Sequence, residues 1–409
     1  MSLLSRRVAV TVFLAFAFAY FLSALIRAIT ATLSPVLTGE FSLNARDLGL
    51  LAGGYFLGFA ATQVPLGRWL DRYGPKKVIL GFLSVAVAGC IAFSMATTFT
   101  GLLMARVLCG VGVSACLMAP LTGYRRWFES AVLMRANSWM LMTGSLGMVA
   151  STLPVQWLMP LVGWRPLFLG LAALVVLSMM LIAWQVPAWQ ARPTAESTPQ
   201  PSYAAVWRNA YFRKMAPLGF VNYGGLVAIQ TLWAAPWMVR VAGYTPVQAA
   251  TGLFWINVAM LCTFWTWGLL NPWLARRHLS AERLIALGLP ASFVVLAIIV
   301  AGGTHVAPVS GILWTLYCIA CTVVALAQPA VGMAFPQELA GRALSAYNLL
   351  IFMGVFATQW GIGLLIDVFL AMQWSEVQAF QGAMAIFMLS GVASYVYFLL
   401  ANSHNHKTR

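Results

Sequence analysis

Long apolar runs separated by short polar segments are the dominant pattern of this 409-residue sequence. There are twelve such runs, and each is long enough to cross a hydrocarbon core of about 30 Å at about 1.5 Å per helical residue. Because their apolar residues are continuous rather than alternating, the pattern predicts transmembrane helices. The predicted spans cover residues 9–37, 47–70, 77–97, 99–122, 135–160, 165–187, 215–239, 247–275, 283–302, 308–334, 343–370 and 378–400.

The apolar pattern is interrupted in the middle of the chain, over residues 188–214. The first part of this segment is rich in Pro, Ser and Thr, which is typical of a linker. The second part mixes aromatic and basic residues, which suits a short helix at the membrane surface. The sequence therefore predicts an N-terminal six-helix bundle over residues 1–187, a cytoplasmic linker with an interfacial helix over 188–214, and a C-terminal six-helix bundle with a short cytoplasmic tail over 215–409.

The two halves carry a weak internal repeat. Trp69-Leu-Asp-Arg72 recurs as Trp273-Leu-Ala-Arg276, about half a chain later and in an equivalent loop. A repeat at this period supports a duplicated six-span unit. The predicted fold class is an all-α polytopic membrane protein, with twelve transmembrane helices arranged as two pseudo-symmetric six-helix bundles.

Composition and charge agree with a membrane protein and exclude two other classes. Hydrophobic residues make up 61% of the chain and charged residues 8%, whereas the surface of a soluble domain is typically about a quarter charged. The net charge of +15 does not indicate nucleic-acid binding, because 19 of the 24 basic residues fall in the termini and in alternate loops. Those segments are cytoplasmic by the positive-inside rule. We expect a multi-pass protein of the cell (inner) membrane, surrounded by the lipid bilayer, with both termini in the cytoplasm.

Three motifs resemble the major facilitator superfamily of transporters. The most specific of them lies between spans 2 and 3, and the others lie in span 4 and before span 6. They read Gly67-Arg-Trp-Leu-Asp71-Arg72-Tyr-Gly74-Pro-Lys76-Lys77 (preceded by Gln63-Val-Pro65), Arg106-Val-Leu-Cys-Gly110-Val-Gly112 and Gly163-Trp164-Arg165.

The resemblance implies a secondary active or facilitative transporter that carries a small-molecule substrate by alternating access and works as a monomer. It also implies that the loop between spans 2 and 3 is a latch, whose carboxylate and guanidinium groups form charge-assisted bonds at helix ends that break when the helices rock apart. The residues expected to gate transport in this way are Gly67, Asp71, Arg72, Gly74, Lys76 and Arg126.

Spans 1, 4, 7 and 10 line the central cavity in that superfamily, and span 1 carries a polar stripe. Its members follow one another at steps of three and four, so they share one helix face. They are Tyr20, Ser23, Arg27, Thr30 and Ser34. A guanidinium near mid-membrane costs on the order of several kcal/mol unless it faces water or an anion. Arg27 is therefore the main substrate-binding candidate, with Tyr20 and Thr30 beside it, and a carboxylate partner elsewhere is the structural alternative.

Arg106 lies inside the apolar run of span 4. The resemblance favours a position in the cavity, while a clamp on the carbonyl groups of a neighbouring helix is an equal alternative. For the remaining candidates, the alternative is hydrogen bonding between helices, which is common for buried amides. These candidates are Tyr223 and Gln230 on span 7, Tyr317 and Gln328 on span 10, and Asn348 and Gln359 on span 11.

The arginines of spans 1 and 4 resemble those of the superfamily's organic-anion/cation symporter branch. That branch often has acidic residues just before the first arginine and about two turns from the second, where this sequence has Ile26 and Val113. The sequence thus predicts anion recognition without the usual proton sites. We expect the substrate to be a small organic anion, a carboxylate, because the planar fork of arginine binds a carboxylate through two parallel bonds.

Two other transport functions remain open. One is an exporter of cationic or lipophilic compounds with structural arginines, although span 5 lacks the Gly-Pro-x-x-Gly-Gly signature of drug/proton antiporters. The other is a soft-metal transporter that uses Cys318 and Cys321 as ligands. This function is less favoured, because cysteines are also ordinary packing residues in apolar helices. An enzyme needs a clustered nucleophile, acid/base pair or metal site, and the sequence shows no such cluster. We therefore expect neither catalysis nor a cofactor or bound metal.

Overall fold

The computed structural model describes residues 4–188, 203–277 and 279–401, and this part of the chain consists of helices and connecting turns without strands. Short π-helical segments occupy Leu218–Tyr223 and Ile229–Trp233, and 3-10 segments occupy Gly303–Val309 and Thr322–Leu326. The α-helices are α1 (Arg6–Phe41), α2 (Ala45–Met95), α3 (Phe99–Val113), α4 (Ala115–Trp127), α5 (Ser130–Ala150), α6 (Leu153–Val162), α7 (Trp164–Gln185), α8 (Tyr203–Arg208), α9 (Ala210–Pro217), α10 (Gly224–Ala228), α11 (Ala234–Arg240), α12 (Pro246–Arg276), α13 (Ala281–Gly302), α14 (Ser310–Cys321), α15 (Ala327–Met333), α16 (Gln337–Ala371) and α17 (Glu376–Leu400).

Eight helical stretches of the described chain are long and apolar enough to cross a membrane, and α5 with α6 forms a ninth that is bent by 44°. Two of the eight, Ala45–Met95 and Ala281–Met333, each contain two predicted spans. Span 7 runs from α9 to α11, and its π-helical segments explain why no single long α-helix covers it. The described residues thus accommodate all twelve predicted spans, and the predicted fold class is confirmed.

Gly74 marks the reversal between spans 2 and 3. Its φ of 78° and ψ of 164° interrupt the helix, and this left-handed φ is a conformation that a residue without Cβ adopts at little cost. Pro75 follows directly and has no backbone N–H to continue the helical hydrogen bonds. Gly303, with a φ of 48°, separates spans 9 and 10 in the same way.

The predicted linker is described only in its second part, because residues 189–202 lie outside the described residues. The second part forms α8 and α9. The Asn209 side chain accepts the N–H of Phe212 at 3.1 Å and caps α9. Phe212 is fully buried and contacts Trp207 edge to face, with 5.2 Å between ring centroids. The domain boundaries themselves stay a prediction.

The chain folds into two compact units, of which the first comprises Met1–Phe41 and Gly54–Glu196. In this unit α5 packs closely on α1, since a methyl group at Gly147 would lie 2.2 Å from the Phe21 carbonyl oxygen. The Thr32 hydroxyl also donates to the Ser151 carbonyl oxygen at 2.8 Å. These contacts bury most of α1, so its polar stripe lies inside the unit.

In the first unit, α2 and α3 approach each other just as closely. A methyl group at Gly58 would lie 2.3 Å from the Val107 carbonyl oxygen, and one at Gly110 would lie 1.9 Å from that of Tyr55. Small residues at such contacts allow helix backbones to pack tightly inside a membrane. The contact brings Tyr55 of α2 alongside the turn of α3 that carries Arg106.

The second unit comprises Ser42–Gly53 and Ser197–Arg409 and has an aromatic core. The Trp237 ring contacts Trp314 at 5.8 Å and Phe380 at 6.5 Å between centroids, both edge to face. The indole of Trp233 donates to the Gln359 carbonyl oxygen at 3.0 Å. Because all three indoles are fully buried, this cluster is a packed core.

The first turns of α2 belong to the second unit, while the rest of the helix belongs to the first. Asp367 of α16 accepts the backbone N–H of Ala45 at 3.1 Å and that of Arg46 at 2.9 Å. A carboxylate at this position satisfies amides that a helix start leaves unpaired and is favoured by the helix dipole. The boundary between the units therefore falls within α2.

Candidate functional site

Arg27 lies on the polar face of α1 and is half-buried. The phenol groups of Tyr20 and Tyr55 lie near its guanidinium and interact with it electrostatically, and the centre of the Phe59 ring lies 5.8 Å from its Cζ. Its Nε has no hydrogen-bond partner among the described residues. The four salt bridges found in the described part of the chain involve other cations. Arg27 therefore places a charged donor in an apolar span without an acidic partner within that part.

Arg106 on α3 has a different environment. Its side chain is completely buried. Its Nη1 donates to the Ile26 carbonyl oxygen at 2.9 Å, and its Nη2 donates to the Arg27 carbonyl oxygen at 3.4 Å. This is the helix clamp that the sequence left open as the alternative to substrate binding. Arg106 thus fixes the turn of α1 that carries Arg27.

Tyr55 of α2 lies between the two arginines. The Arg106 Cζ is 5.1 Å from the centre of the Tyr55 ring, a distance at which the ring face attracts a cation. The Tyr55 hydroxyl donates to the Ser23 carbonyl oxygen at 3.4 Å, and it also lies near the Arg27 guanidinium. Two guanidinium groups beside one phenol concentrate positive charge in apolar surroundings, where an anion would be bound more strongly than in water.

Tyr20 and Thr30 are both buried on α1. The Tyr20 ring lies against α5, since a methyl group at Gly144 would be 2.4 Å from its edge. The structure brings Tyr20 together with Arg27, whereas Thr30 shares only the helix face with it.

Two predicted amides of the second unit are bound to other side chains. Gln230 donates to the Asn257 side-chain oxygen at 2.8 Å, and Gln359 donates to the Thr231 hydroxyl at 3.0 Å. The Gln359 side-chain oxygen has no partner among the described residues. Hydrogen bonding between helices, the alternative left open by the sequence, accounts for the two donors.

Gln328 and Asn348 form a further pair, in which the Gln328 amide donates to the Asn348 side-chain oxygen at 2.5 Å. Both residues are half-buried, so part of the pair is accessible. Tyr317 is buried edge to face against Trp314 at 5.7 Å. Tyr223 is half-buried on the first π-helical segment.

The loop between spans 2 and 3 is tied to neighbouring helices of the first unit. The Lys76 ammonium donates to the carbonyl oxygen of Val186 at 2.8 Å, directly after α7. Arg126, in the last turn of α4, acts electrostatically on the Asp71 carboxylate. Three of the predicted gating residues are therefore involved in such interactions. Lys76 bonds to the residue that follows α7, and Asp71 and Arg126 interact with each other.

The other predicted gating residues have simpler surroundings. The Arg72 guanidinium lies over the ring of its neighbour Tyr73, at 5.2 Å from the centroid. Gly67 is exposed, and a methyl group there would meet open space. Gly74 makes the chain reversal described above. The contact of Arg72 is therefore local to the hairpin.

Two polar partners were missed by the sequence reasoning. Asn257, the acceptor for Gln230, lies inside the apolar run of span 8, so a search of all twelve spans for amides would have found it. The contact of Asp367 with the start of α2 joins positions 322 residues apart, and no local sequence pattern predicts it. Among the described residues, no group of three or more His, Cys, Asp or Glu side chains is placed to hold a metal ion.

Residues 16–359 match the sequence model of a protein family, the Major Facilitator Superfamily. The probable sulfoacetate transporter of Cupriavidus necator is 24% identical over 248 residues, which is 56% of this chain and 57% of that protein. The probable L-galactonate transporter of Escherichia coli is 23% identical over 229 residues, which is 56% of this chain and 49% of that protein. The chain thus matches about half the length of these curated relatives.

One solved structure shares the fold of this chain over nearly the whole length of both proteins. It is a bacterial homologue of the human lysosomal transporter Spinster, crystallised in an inward-facing, unoccupied conformation. The TM-score is 0.75 and the sequence identity 16%, with 97% of both chains covered. Because the family match extends over most of the sequence and the helices follow the same fold, this chain belongs to the Major Facilitator Superfamily.

Proposed function

We propose that this protein is a transporter that carries a small organic anion, a carboxylate, by alternating access, and that Arg27 binds it. The observation that carries the proposal is the half-buried Arg27 guanidinium, which forms none of the salt bridges among the described residues. A charged group in an apolar span is costly without a partner. A carboxylate substrate would supply that partner through two parallel charge-assisted bonds.

The relatives support the same class of substrate. The two curated proteins described above are named as probable transporters of sulfoacetate and L-galactonate, and both of these compounds are anions of organic acids. The chain matches only about half of each relative, so the substrate class rests mainly on Arg27.

The contacts suggest a division of roles around Arg27. Arg106 fixes the backbone beneath it, and Tyr20 and Tyr55 offer phenol groups beside it. In the second unit, the half-buried pair of Gln328 and Asn348 is the most accessible of the predicted amides. In the first unit we assign substrate contact to Arg27, Tyr20 and Tyr55. Within the second unit, we rank Gln328 and Asn348 ahead of the fully packed Tyr317 and Gln359 as candidates.

The test is a thermal-shift titration of the purified protein in detergent. The panel contains carboxylates, sulfonates, organic cations and neutral solutes, each applied to the wild type and to Arg27→Ala. A ligand that binds only the folded state stabilises it by about 2.7 kcal/mol at a hundred times its Kd. We expect a carboxylate to raise the Tm of the wild type. We expect Arg27→Ala to weaken that binding about ten- to hundredfold, which is what the loss of a hydrogen-bonded charge costs.

Arg240→Ala is the matched control, because it removes the same charge from an exposed helix end. Arg240 pairs with Glu376 at 3.6 Å, and both side chains are 48% exposed. The control should keep the wild-type response. An equal response of the two variants would refute the role of Arg27, and stabilisation by cations or lipophilic compounds alone would favour the exporter alternative.

A further inference from the structure

The hairpin formed by the two arms of α2 encloses an open groove of about 400 Å³, whose lining residues all belong to the first unit. One wall is span 2, which lines the groove from Thr62 to Tyr73, and the other wall is the start of span 3, with Gly81 and Phe82. Val111 of α3 also lines it. The side chains that face the groove are chiefly apolar or aromatic. None of the candidate substrate-binding residues is among them.

The length of the groove indicates what kind of molecule it fits. Thr62 and Tyr73 are eleven residues apart on one helical arm, which is about 16 Å at the usual helical rise. This is about half of the hydrocarbon thickness of a bilayer, or one leaflet. A groove of this length and chemistry fits a lipid acyl chain better than a short, polar organic acid.

The two ends of the groove differ in polarity. At the loop end, Lys77 lines the groove and is exposed, and the aromatic rings of Trp69 and Tyr73 are 39% and 46% exposed. Such amphipathic rings are enriched at the level of lipid headgroups. At the other end, the Thr62 hydroxyl donates to the Phe59 carbonyl oxygen at 2.8 Å, so its donor is already satisfied. The groove thus has one basic, aromatic end and one apolar end.

A second cation stands beside the basic end. The Arg72 guanidinium lies 5.2 Å from the centre of the Tyr73 ring, and that ring lines the groove. The Trp69 and Phe82 rings, 5.7 Å apart between centroids, join the two walls at this level. Positive charge above an apolar channel complements a phosphate attached to an acyl chain.

We propose that the α2 hairpin groove binds an anionic phospholipid, with one acyl chain along the groove and the headgroup phosphate on Lys77. The site is separate from Arg27 and does not depend on the identity of the transported substrate. It would place a lipid headgroup next to the loop that carries Asp71 and Arg72.

Gly81 allows the groove to be filled without disturbing the fold. No atom lies within 4 Å of a methyl group placed there, so the side chain of Gly81→Leu would extend into the groove. Gly170 on α7 is also exposed and equally free of neighbours. Gly170→Leu therefore adds the same apolar group elsewhere in the first unit and serves as the matched control.

The experiment is native mass spectrometry of the delipidated protein, titrated with dioleoyl phosphatidylglycerol or with dioleoyl phosphatidylcholine. Thermal shift in the same detergent checks that each variant is folded. We expect the wild type and Gly170→Leu to retain one phosphatidylglycerol under conditions that remove phosphatidylcholine, and Gly81→Leu to lose it. Lys77→Gln should reduce the preference for the anionic lipid about fivefold, as expected for one basic residue at a membrane surface. It also tests the site should Gly81→Leu fail to fold.

Three results would overturn the proposal. The first is a Gly81→Leu variant that retains phosphatidylglycerol as well as the wild type does. The second is equal retention of both lipids by the wild type. The third is a thermal shift with inorganic phosphate alone that matches the shift with phosphatidylglycerol, because it would show that the acyl chain contributes nothing. All of these readouts use no transport substrate, so they stand or fall independently of the role of Arg27.

Discussion

Arg27 and Arg106 are the same kind of side chain in neighbouring spans, yet their surroundings assign them different tasks. Arg106 is completely buried and donates to two carbonyl oxygens of α1. Arg27 is half-buried and forms none of the salt bridges among the described residues, where the Nε of each of these two arginines lacks a partner. In a medium of low polarity, an unpaired donor is expensive. Arg106 therefore stabilises the fold, and we propose that Arg27 binds a ligand.

Arg106→Ala should destabilise the ligand-free protein. The substitution removes two charge-assisted hydrogen bonds and leaves a void, which we expect to cost at least about 2 kcal/mol. Thermal unfolding in one detergent measures the loss, with Arg27→Ala as the comparison that should stay close to the wild type. If Arg106→Ala melts at the wild-type temperature, the clamp does not hold α1 in place.

At the scale of elements, the contact between the start of α2 and α16 depends on the absence of side chains. A methyl group at Gly363 would lie 2.3 Å from the Ala45 carbonyl oxygen, and one at Gly49 would lie 2.2 Å from that of Gln359. Such overlaps cannot be relieved by rotating a side chain, because the obstacle is backbone. The two helices can approach this closely only while these positions remain glycine.

Gly363→Ala should force α16 away from α2 and lower the Tm, by an amount equivalent to about 1–3 kcal/mol. Gly361→Ala is the matched control, because it lies on the same helix and a methyl group there meets open space. Thermal unfolding of the two variants, measured side by side, checks this expectation. Equal melting temperatures would mean that the close approach has no energetic weight.

Asp367→Asn should loosen the first turn of α2 without unfolding the protein. The substitution removes the charge that the helix start attracts and one of two accepting oxygens, at a cost of about 0.5–2 kcal/mol. Hydrogen exchange over residues 42–53 should become faster, because local opening depends on such terminal contacts. Asp47→Asn, on the same turn and paired with Arg46 at 3.5 Å, should change the exchange much less. Unchanged exchange in Asp367→Asn would show that the carboxylate is not what holds the helix start.

At the scale of the whole molecule, the proposed alternating access requires contacts that break during each cycle. Asp71 lies on the loop between spans 2 and 3 and interacts electrostatically with Arg126. Because a latch affects the rate of opening rather than the binding site, its loss should appear in turnover and not in affinity.

Asp71→Asn should therefore slow uptake into proteoliposomes while leaving the thermal shift with substrate largely intact. Glu129→Gln, which removes an exposed carboxylate that makes no capping hydrogen bond at the start of α5, is the control and should transport normally. An Asp71→Asn variant that transports at the wild-type rate would remove the latch from the mechanism.

Much of the architecture follows from local sequence, because every segment that crosses the bilayer must be a long, continuous apolar run. Continuous apolar runs predicted the twelve spans, and the structure contains helices for each of them. The steps of three and four on span 1 placed Tyr20 and Arg27 on one face, where the structure also has them together.

Contacts between distant residues were beyond local sequence. Whether Arg106 faces a cavity or a neighbouring backbone depends on how α3 packs against α1, which no run of residues encodes. The pairing of Gln230 with Asn257 and the cap of Asp367 on α2 have the same character. The π-helical segments of span 7 were likewise not anticipated, because an apolar run does not reveal its helical pitch.

The sharing of α2 between the two units has a consequence for a chain produced in two pieces. A break within residues 189–202 would leave all of α2 in the N-terminal piece, including Ser42–Gly53, whose neighbours on α16 belong to the other piece. The N-terminal piece would then lack the α16 neighbours of residues 42–53, and the C-terminal piece would lack residues 42–53 themselves. The situation resembles an exchange of elements between protomers. Co-expressed fragments should reassemble through the contact of residues 42–53 with α16. The covalent connection between the two pieces would then be dispensable.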